Sequence, residues 1–233
     1  MTWYVVDGMD GSGKSTVGHL IEEKMVSQGR KVLFLEHPND SCRSGRLAHK
    51  YLLKNGKIAM LLSTTFYIFN VIHSLRFKKK HRKEYDDIIF VRYNMAVAYL
   101  PKCLIKPGYR FISFIFPKPD VSIFVDIDPE SAMQRILDRG GDLEMFETEE
   151  KLKKTREKML ILSNGWNIID NTHGMEQTKE SVEWILSEQR IAGSVVIGPY
   201  PHTSGNGRPG SFPGCRGGVH EHNRNVVAGN VPS

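Results

Sequence analysis

What this 233-residue chain lacks narrows the possibilities before any motif is read. Its three cysteines, Cys42, Cys103 and Cys215, are odd in number and far apart. No disulfide framework can brace it, and a reducing, cytoplasmic setting is expected. No basic-then-apolar leader pattern is present. The most apolar window, Ile58 to Ile72, is interrupted by Ser63, Thr64, Thr65 and Asn70, and it falls short of the roughly 20 residues a spanning helix needs. We read it as a buried core helix running into a solvated basic end (Arg76, Lys78, Lys79, Lys80, Arg82, Lys83) rather than as a membrane anchor. Extremes of charge are missing too: net +6, with 40% hydrophobic and 25% charged residues, suits a globular domain. That balance favours anionic ligands without singling out nucleic acid, which is not an expected partner.

What is present begins at residue 8. Gly8-Met9-Asp10-Gly11-Ser12-Gly13-Lys14-Ser15-Thr16 follows a short apolar run and fits the phosphate-loop spacing of glycine, four residues, glycine, lysine and a hydroxyl residue. Small residues let consecutive backbone N–H groups curl around a phosphate. Lys14 can reach β/γ oxygens, and the Ser15 hydroxyl can ligate Mg²⁺. A helix over Val17 to Met25 would add the positive end of its dipole. A plain Gly/Ser turn is the competing reading, and the strand before and helix after argue against it. ATP and Mg²⁺ are therefore the expected cofactors.

Strand and helix patterns alternate downstream. Strands are expected at Tyr4–Asp7, Lys31–Leu35, Ile88–Val91, Val121–Val125 and Trp166–Ile169. Helices are expected at Asn94–Leu100, from Pro129 behind an Asp128 N-cap, and at Met175–Leu186. Such repetition implies an α/β fold with a five-stranded parallel sheet covered on both faces. Chemistry is then sought just beyond the carboxyl ends of the strands. Residues 1–187 form this domain, with a small lid at about 136–150. Residues 188–233 are Gly/Pro-rich and read as a disordered tail, in which Cys215, His220 and His222 are too few for a convincing metal site.

A phosphate loop alone does not separate GTPases, ATPases and kinases. No Asn-Lys-x-Asp run, of the kind that reads guanine, occurs. The segments after the other strands resemble the thymidylate kinase family of nucleoside monophosphate kinases over about residues 1–186. These are the loop with Asp10, Glu36-His37-Pro38, Val91-Arg92-Tyr93, Asp128-Pro129-Glu130 leading into Arg135 and Arg139, and Leu143–Glu147. The resemblance implies ATP-dependent conversion of dTMP to dTDP, a lid that supplies arginines, and a homodimer. By it, Asp10, His37, Pro38, Arg92 and Tyr93 border the acceptor nucleotide.

Chemistry gives these residues work of their own. Arg92 can clamp a phosphate with its planar fork, or form a surface ion pair. Arg135 and Arg139 share a helical face, and a Gly140-Gly141 hinge could let Arg139 cover the transferring group; a solvated helix end is the plainer alternative. Tyr93 either stacks on a base or packs. Asp10 either accepts from the acceptor sugar, organises Mg²⁺ through water, or forms a turn. Asp126 reads as structural. Val91 stands where the family carries an acidic residue, which leaves two further options open: a kinase of another nucleoside or small metabolite, and a non-catalytic ATP-binding regulator.

Overall fold

The computed structural model describes residues 1–54, 56–140 and 146–194. Contacts divide the chain into Met1–Ser194 and Val195–Ser233. The second unit, with Cys215, His220, His222 and nearly all of the expected tail, lies outside the described residues.

In chain order the elements are β1 (Thr2–Gly8), α1 (Lys14–Ser27), β2 (Val32–Glu36), α2 (Arg43–Leu52) and α3 (Lys57–Lys80), then β3 (Asp87–Val91) and a 3₁₀ turn (Met95–Tyr99). They continue with α4 (Lys102–Ile115), β4 (Val121–Asp126), α5 (Pro129–Arg139), α6 (Glu149–Leu162), β5 (Asn167–Asp170) and α7 (Met175–Ser194). The five strands are parallel in the order β2-β3-β1-β4-β5. The strand alternation then sorts side chains to two cores. Trp3, Val5, Ile88, Phe90 and Phe124 pack with Val71, Ile105, Ile136 and Leu152. Tyr4, Val6, Ile89, Val91 and Ile123 face the other way onto Val17, Ile21 and Val182. Because β1 is central and its neighbours are reached by crossovers in opposite directions, a crevice opens beyond its carboxyl end.

All five expected strands are present. Asp128 caps α5 as expected, its Oδ1 accepting from the Ser131 amide at 2.8 Å. Three helices go beyond the expected set: α2, α4 and α6. In α4 an internal Pro107 disguises the helix, since proline removes one ladder donor. The segment expected to be helical at Asn94–Leu100 is a 3₁₀ turn, and α7 runs through Ser194, past the boundary expected at residue 187.

The apolar window also needs correction. Only one stripe of α3 (Tyr67, Ile68, Val71, Ile72, Leu75) packs on the core. Ile58, Leu61 and Phe69 on α3 are exposed. By length and composition, Ile58–Lys80 would be long and apolar enough to cross a bilayer. The basic end is not uniformly solvated either: the Lys78 ammonium sits 3.0 Å above the centre of the Trp3 ring, a cation–π contact.

Candidate active site

The loop after β1 is shaped by two left-handed glycines, Gly11 (φ 76°) and Gly13 (φ 85°). Neither could carry a side chain: a Cβ at Gly11 would strike the Ala132 carbonyl, and one at Gly13 the Asn171 amide. Helix α1 begins at Lys14 with no side-chain cap and no acid in its first turn. Its first N–H groups are thus left for an anion. Lys14 is buried, its Nζ donating to the Met9 carbonyl (3.0 Å) and Asp10 Oδ1 (3.3 Å). Met9 contributes that carbonyl while its side chain belongs to the core.

Asp10 is a hub rather than a turn former. Besides Lys14, its Oδ1 takes 2.7 Å from Arg92 Nη2, and its Oδ2 takes 2.6 Å from the Tyr99 hydroxyl. Burial opposes its charge, but Lys14, Arg92 and Tyr99 outweigh it and hold the carboxyl well below the usual range. Burial, together with the Arg92 charge, pulls Lys14 down against the opposing effect of Asp10. Arg92 itself is the one non-glycine residue among those described with a positive φ, 61°. The reason lies one strand away. Asp7, buried at the end of β1, accepts from the amides of Tyr93 (2.9 Å) and Met95 (3.2 Å) through Oδ2. This clamp holds the turn after β3 and aims the Arg92 side chain across the loop.

Two residues expected beside the acceptor turn inward. Tyr93 lies in the core, edge-on to Trp3 and Phe90 and stacked on Phe116, with its hydroxyl donating to the Pro117 carbonyl. It packs. His37 is also buried. Its Nδ1 faces the carbonyls of Arg92 (2.9 Å) and Val91 (3.3 Å), and its Nε2 faces the Ser74 hydroxyl (2.8 Å). Since carbonyls only accept, the network assigns the proton to Nδ1, and Ser74 donates to Nε2. Burial depresses its pKa to about 4, keeping the ring neutral. His37 therefore braces the acceptor side from behind, and Pro38 reaches the surface beside it.

Two open clefts result. One, of about 500 Å³, is walled by Gly11, Gly13, Lys14, Ser15, Thr16, Arg92, Arg135, Ile136, Arg139, Asn171 and Met175. It holds four cationic side chains and no carboxylate. The other, of about 440 Å³, runs along Phe34, Glu36, Pro38, Asn39 and Asp40 between His19, His49 and Arg92. Arg92 is the residue common to both.

Around the first cleft, Arg135 Nη2 donates to the Asn171 carbonyl (2.9 Å), and Asn171 Nδ2 donates to the Ser12 carbonyl (2.7 Å). Arg139 pairs with the buried Glu147 at 2.8 Å. Of the segment expected as a lid, about 136–150, Ile136–Arg139 is the end of α5 and Glu149 begins α6. Gly140 has φ 70°, while Gly141 and Leu143–Met145 lie outside the described residues. Asp126 makes a bidentate pair with Arg156, both contacts 2.8 Å, and is structural as expected.

Asn171 and Tyr99 escaped the sequence reading, and Glu36 entered it only as part of the Glu36-His37-Pro38 turn, with no role of its own. Glu36 and Asn171 both stand at strand ends, where the search rule could have found them. Glu36 Oε1 accepts 2.6 Å from the Ser15 hydroxyl and lies 3.6 Å from Arg92 Nη1. Tyr99 gave no signal, because a lone tyrosine in a short turn has no pattern. Ser15 and Glu36, hard oxygen donors beside a cationic cleft, fit a hydrated Mg²⁺, which is held through one or two such groups plus phosphates.

A family model described as thymidylate kinase matches residues 6–182. A probable thymidylate kinase of Pyrobaculum aerophilum is 31% identical over 191 residues, spanning 80% of this chain and 96% of that one. A second, from Metallosphaera sedula, is 28% identical over 201 residues, spanning 83% and 98%. Among solved structures, thymidylate kinase from Candida albicans matches with a TM-score of 0.60 over 81% of this chain and 92% of its own, at 20% identity. That last likeness is one of fold.

Proposed function

The chain belongs to the thymidylate kinase family, and we propose from that premise that it transfers the γ-phosphoryl group of ATP to a nucleoside monophosphate, converting dTMP to dTDP. The observation that carries this reading is Arg92, the cation shared by the two clefts. Phosphoryl transfer asks little covalent chemistry of the protein; it needs two anionic substrates held in line and the charge between them balanced.

The loop amides from Gly11 to Thr16 and the N-terminus of α1 receive the triphosphate. Lys14 exchanges the Met9 carbonyl and Asp10 for β/γ oxygens. Ser15 holds Mg²⁺, which when bound neutralises charge on the donor phosphates. Arg92 takes the acceptor phosphate, with Pro38 along the acceptor wall. Asp10, fixed by Tyr99, stands at the junction and accepts from the acceptor sugar. Arg139, released from Glu147, and Arg135 cover the transferring group. The acceptor phosphate oxygen then bonds to the γ-phosphorus as the bond to the β-bridging oxygen breaks, and ADP leaves.

The free thiols of Cys42 and Cys103 support a reducing, cytoplasmic setting. Exposed apolar side chains on α3 and α4, including Leu61, Phe69, Phe111 and Phe114, support a homodimer, which light scattering would test. The activity is tested by incubating the protein with ATP, Mg²⁺ and a panel of nucleoside monophosphates. dTDP formed from dTMP is the expected product, and no diphosphate from any acceptor would overturn the assignment.

A further inference from the structure

A serine oxygen that ligates a cation has one proton to place elsewhere, and it needs a fixed acceptor to do so. The protein supplies that acceptor in Glu36, whose Oε1 takes the Ser15 hydroxyl proton at 2.6 Å. A hydroxyl has one donor and two acceptor lone pairs. With its donor committed to Glu36, the Ser15 oxygen keeps its lone pairs for a metal.

The other carboxylates at the carboxyl ends of the described strands are engaged elsewhere: Asp170, which closes β5, accepts from the Thr172 amide at 2.9 Å and faces His173 at 3.5 Å. Asp7 is committed to the Tyr93 and Met95 amides. Asp126 is closed in its bidentate pair with Arg156. Asp10 already accepts from Lys14, Arg92 and Tyr99. Position 91, at the end of β3, is valine. In the sheet, Glu36 is the direct register partner of Val91, so the carboxylate stands one strand across from the vacancy in charge. Half-exposed at the rim of the second cleft, it also lies within 3.6 Å of Arg92.

From this arrangement we infer that Glu36 is the metal-positioning residue of the site: it orients Ser15 and the water shell of the divalent cation that accompanies the triphosphate, and so makes the protein select the metal-bound nucleotide over the free one. The inference rests on the ATP-dependent reading above. In this role Glu36 acts on the cation through Ser15, so its signature is metal dependence of binding rather than turnover alone.

The test is equilibrium binding of a fluorescent ATP analogue to the full chain, in Mg²⁺ and in EDTA, for wild type, Glu36→Gln and Glu36→Ala. Glu36→Gln keeps the size and an oxygen for Ser15 while removing the charge, and thermal melts establish that both variants fold. Outer-shell partners of metal ligands are worth about 10–100-fold in metal affinity. The Mg²⁺-dependent gain should therefore fall by about 10-fold or more in Glu36→Ala and by less in Glu36→Gln. Affinity in EDTA should hold or rise, because a negative charge near the phosphates has gone. Mn²⁺ titrations followed by electron paramagnetic resonance should show the same order of weakening in the nucleotide complex.

An unchanged ratio of Mg²⁺ to EDTA affinity in both variants would overturn the inference. So would a variant whose only defect is weaker dTMP binding, which would make Glu36 merely an anchor for Arg92. Wild-type protein that binds the analogue in neither condition would instead remove the functional reading, and this inference with it.

Discussion

The two clefts that meet at Arg92 are built on different principles. The first is made of main-chain amides, glycines and cations set on strand and helix ends, with Asn171 tying the loop, Arg135 and α7 together. Its Nδ2 reaches the Ser12 carbonyl and its Oδ1 accepts from Thr178 at 2.7 Å. The second is a surface between β2, α1 and α2, supported from behind by a neutral histidine and by contacts from α3. One is preorganised by local backbone geometry; the other depends on how distant helices pack. Damage to the first should thus appear in the chemical step, and damage to the second in acceptor affinity or in stability.

The largest effect is expected from Lys14→Ala. Removing a preorganised cation from the phosphate cleft should lower kcat by about 10³-fold, measured by dTDP formation at saturating substrates. Turnover left intact would erase the distinction between the clefts. Arg92→Ala strikes the shared wall, so it should lower kcat and raise KM for dTMP together, with kcat/KM falling by about 10²–10³-fold. If KM for ATP alone rose, Arg92 would belong to one side only.

A smaller change sharpens the comparison at its seam. Tyr99→Phe deletes one hydrogen bond to the charged Asp10, a contact worth about 1.5–3 kcal/mol. It should cost about 10-fold in kcat/KM for dTMP while leaving ATP binding nearly unaltered.

The last effect leaves the chemistry aside and concerns stability on the side of the second cleft. The folded-state pKa of His37 is depressed to about 4 from 6.5. Between those values the unfolded chain carries a proton here that the folded chain does not. Stability is therefore fully present above pH 6.5 and is lost as the pH falls, the loss reaching about 3 kcal/mol near pH 4. Urea unfolding across this window, compared with His37→Gln, should show a steeper decline in the wild type. Parallel slopes would remove His37 from the bracing role.

The same division governs what could be read from the sequence. The loop, its lysine and serine, the five strands and the Asp128 cap were legible because each depends on neighbours within a few positions. Arg92 was legible because it follows a strand end, Arg135 and Arg139 because they share one face of a helix whose cap is explicit, and all three line the first cleft. Tyr93 and His37, expected beside the acceptor, are buried, because a position just after a strand does not show whether its side chain turns inward. The Asp10 hub draws on Arg92 and Tyr99, 82 and 89 positions away, and no local pattern encodes such a pairing. Likewise α3 reads as a buried core helix, and only packing reveals which stripe is covered.

Asp7 carries one further consequence. This single carboxylate stands next to last in the strand that launches the phosphate loop while gripping two amides of the turn that bears Arg92. Both halves of the machinery are thereby surveyed from a common benchmark, and small excursions of one carry the other along. Spacing between the two nucleotides is then preserved through thermal motion by a strut inside the sheet, without a bound ligand having to enforce it. A substitution at residue 7 would accordingly decouple donor from acceptor even where each pocket, taken singly, kept its shape.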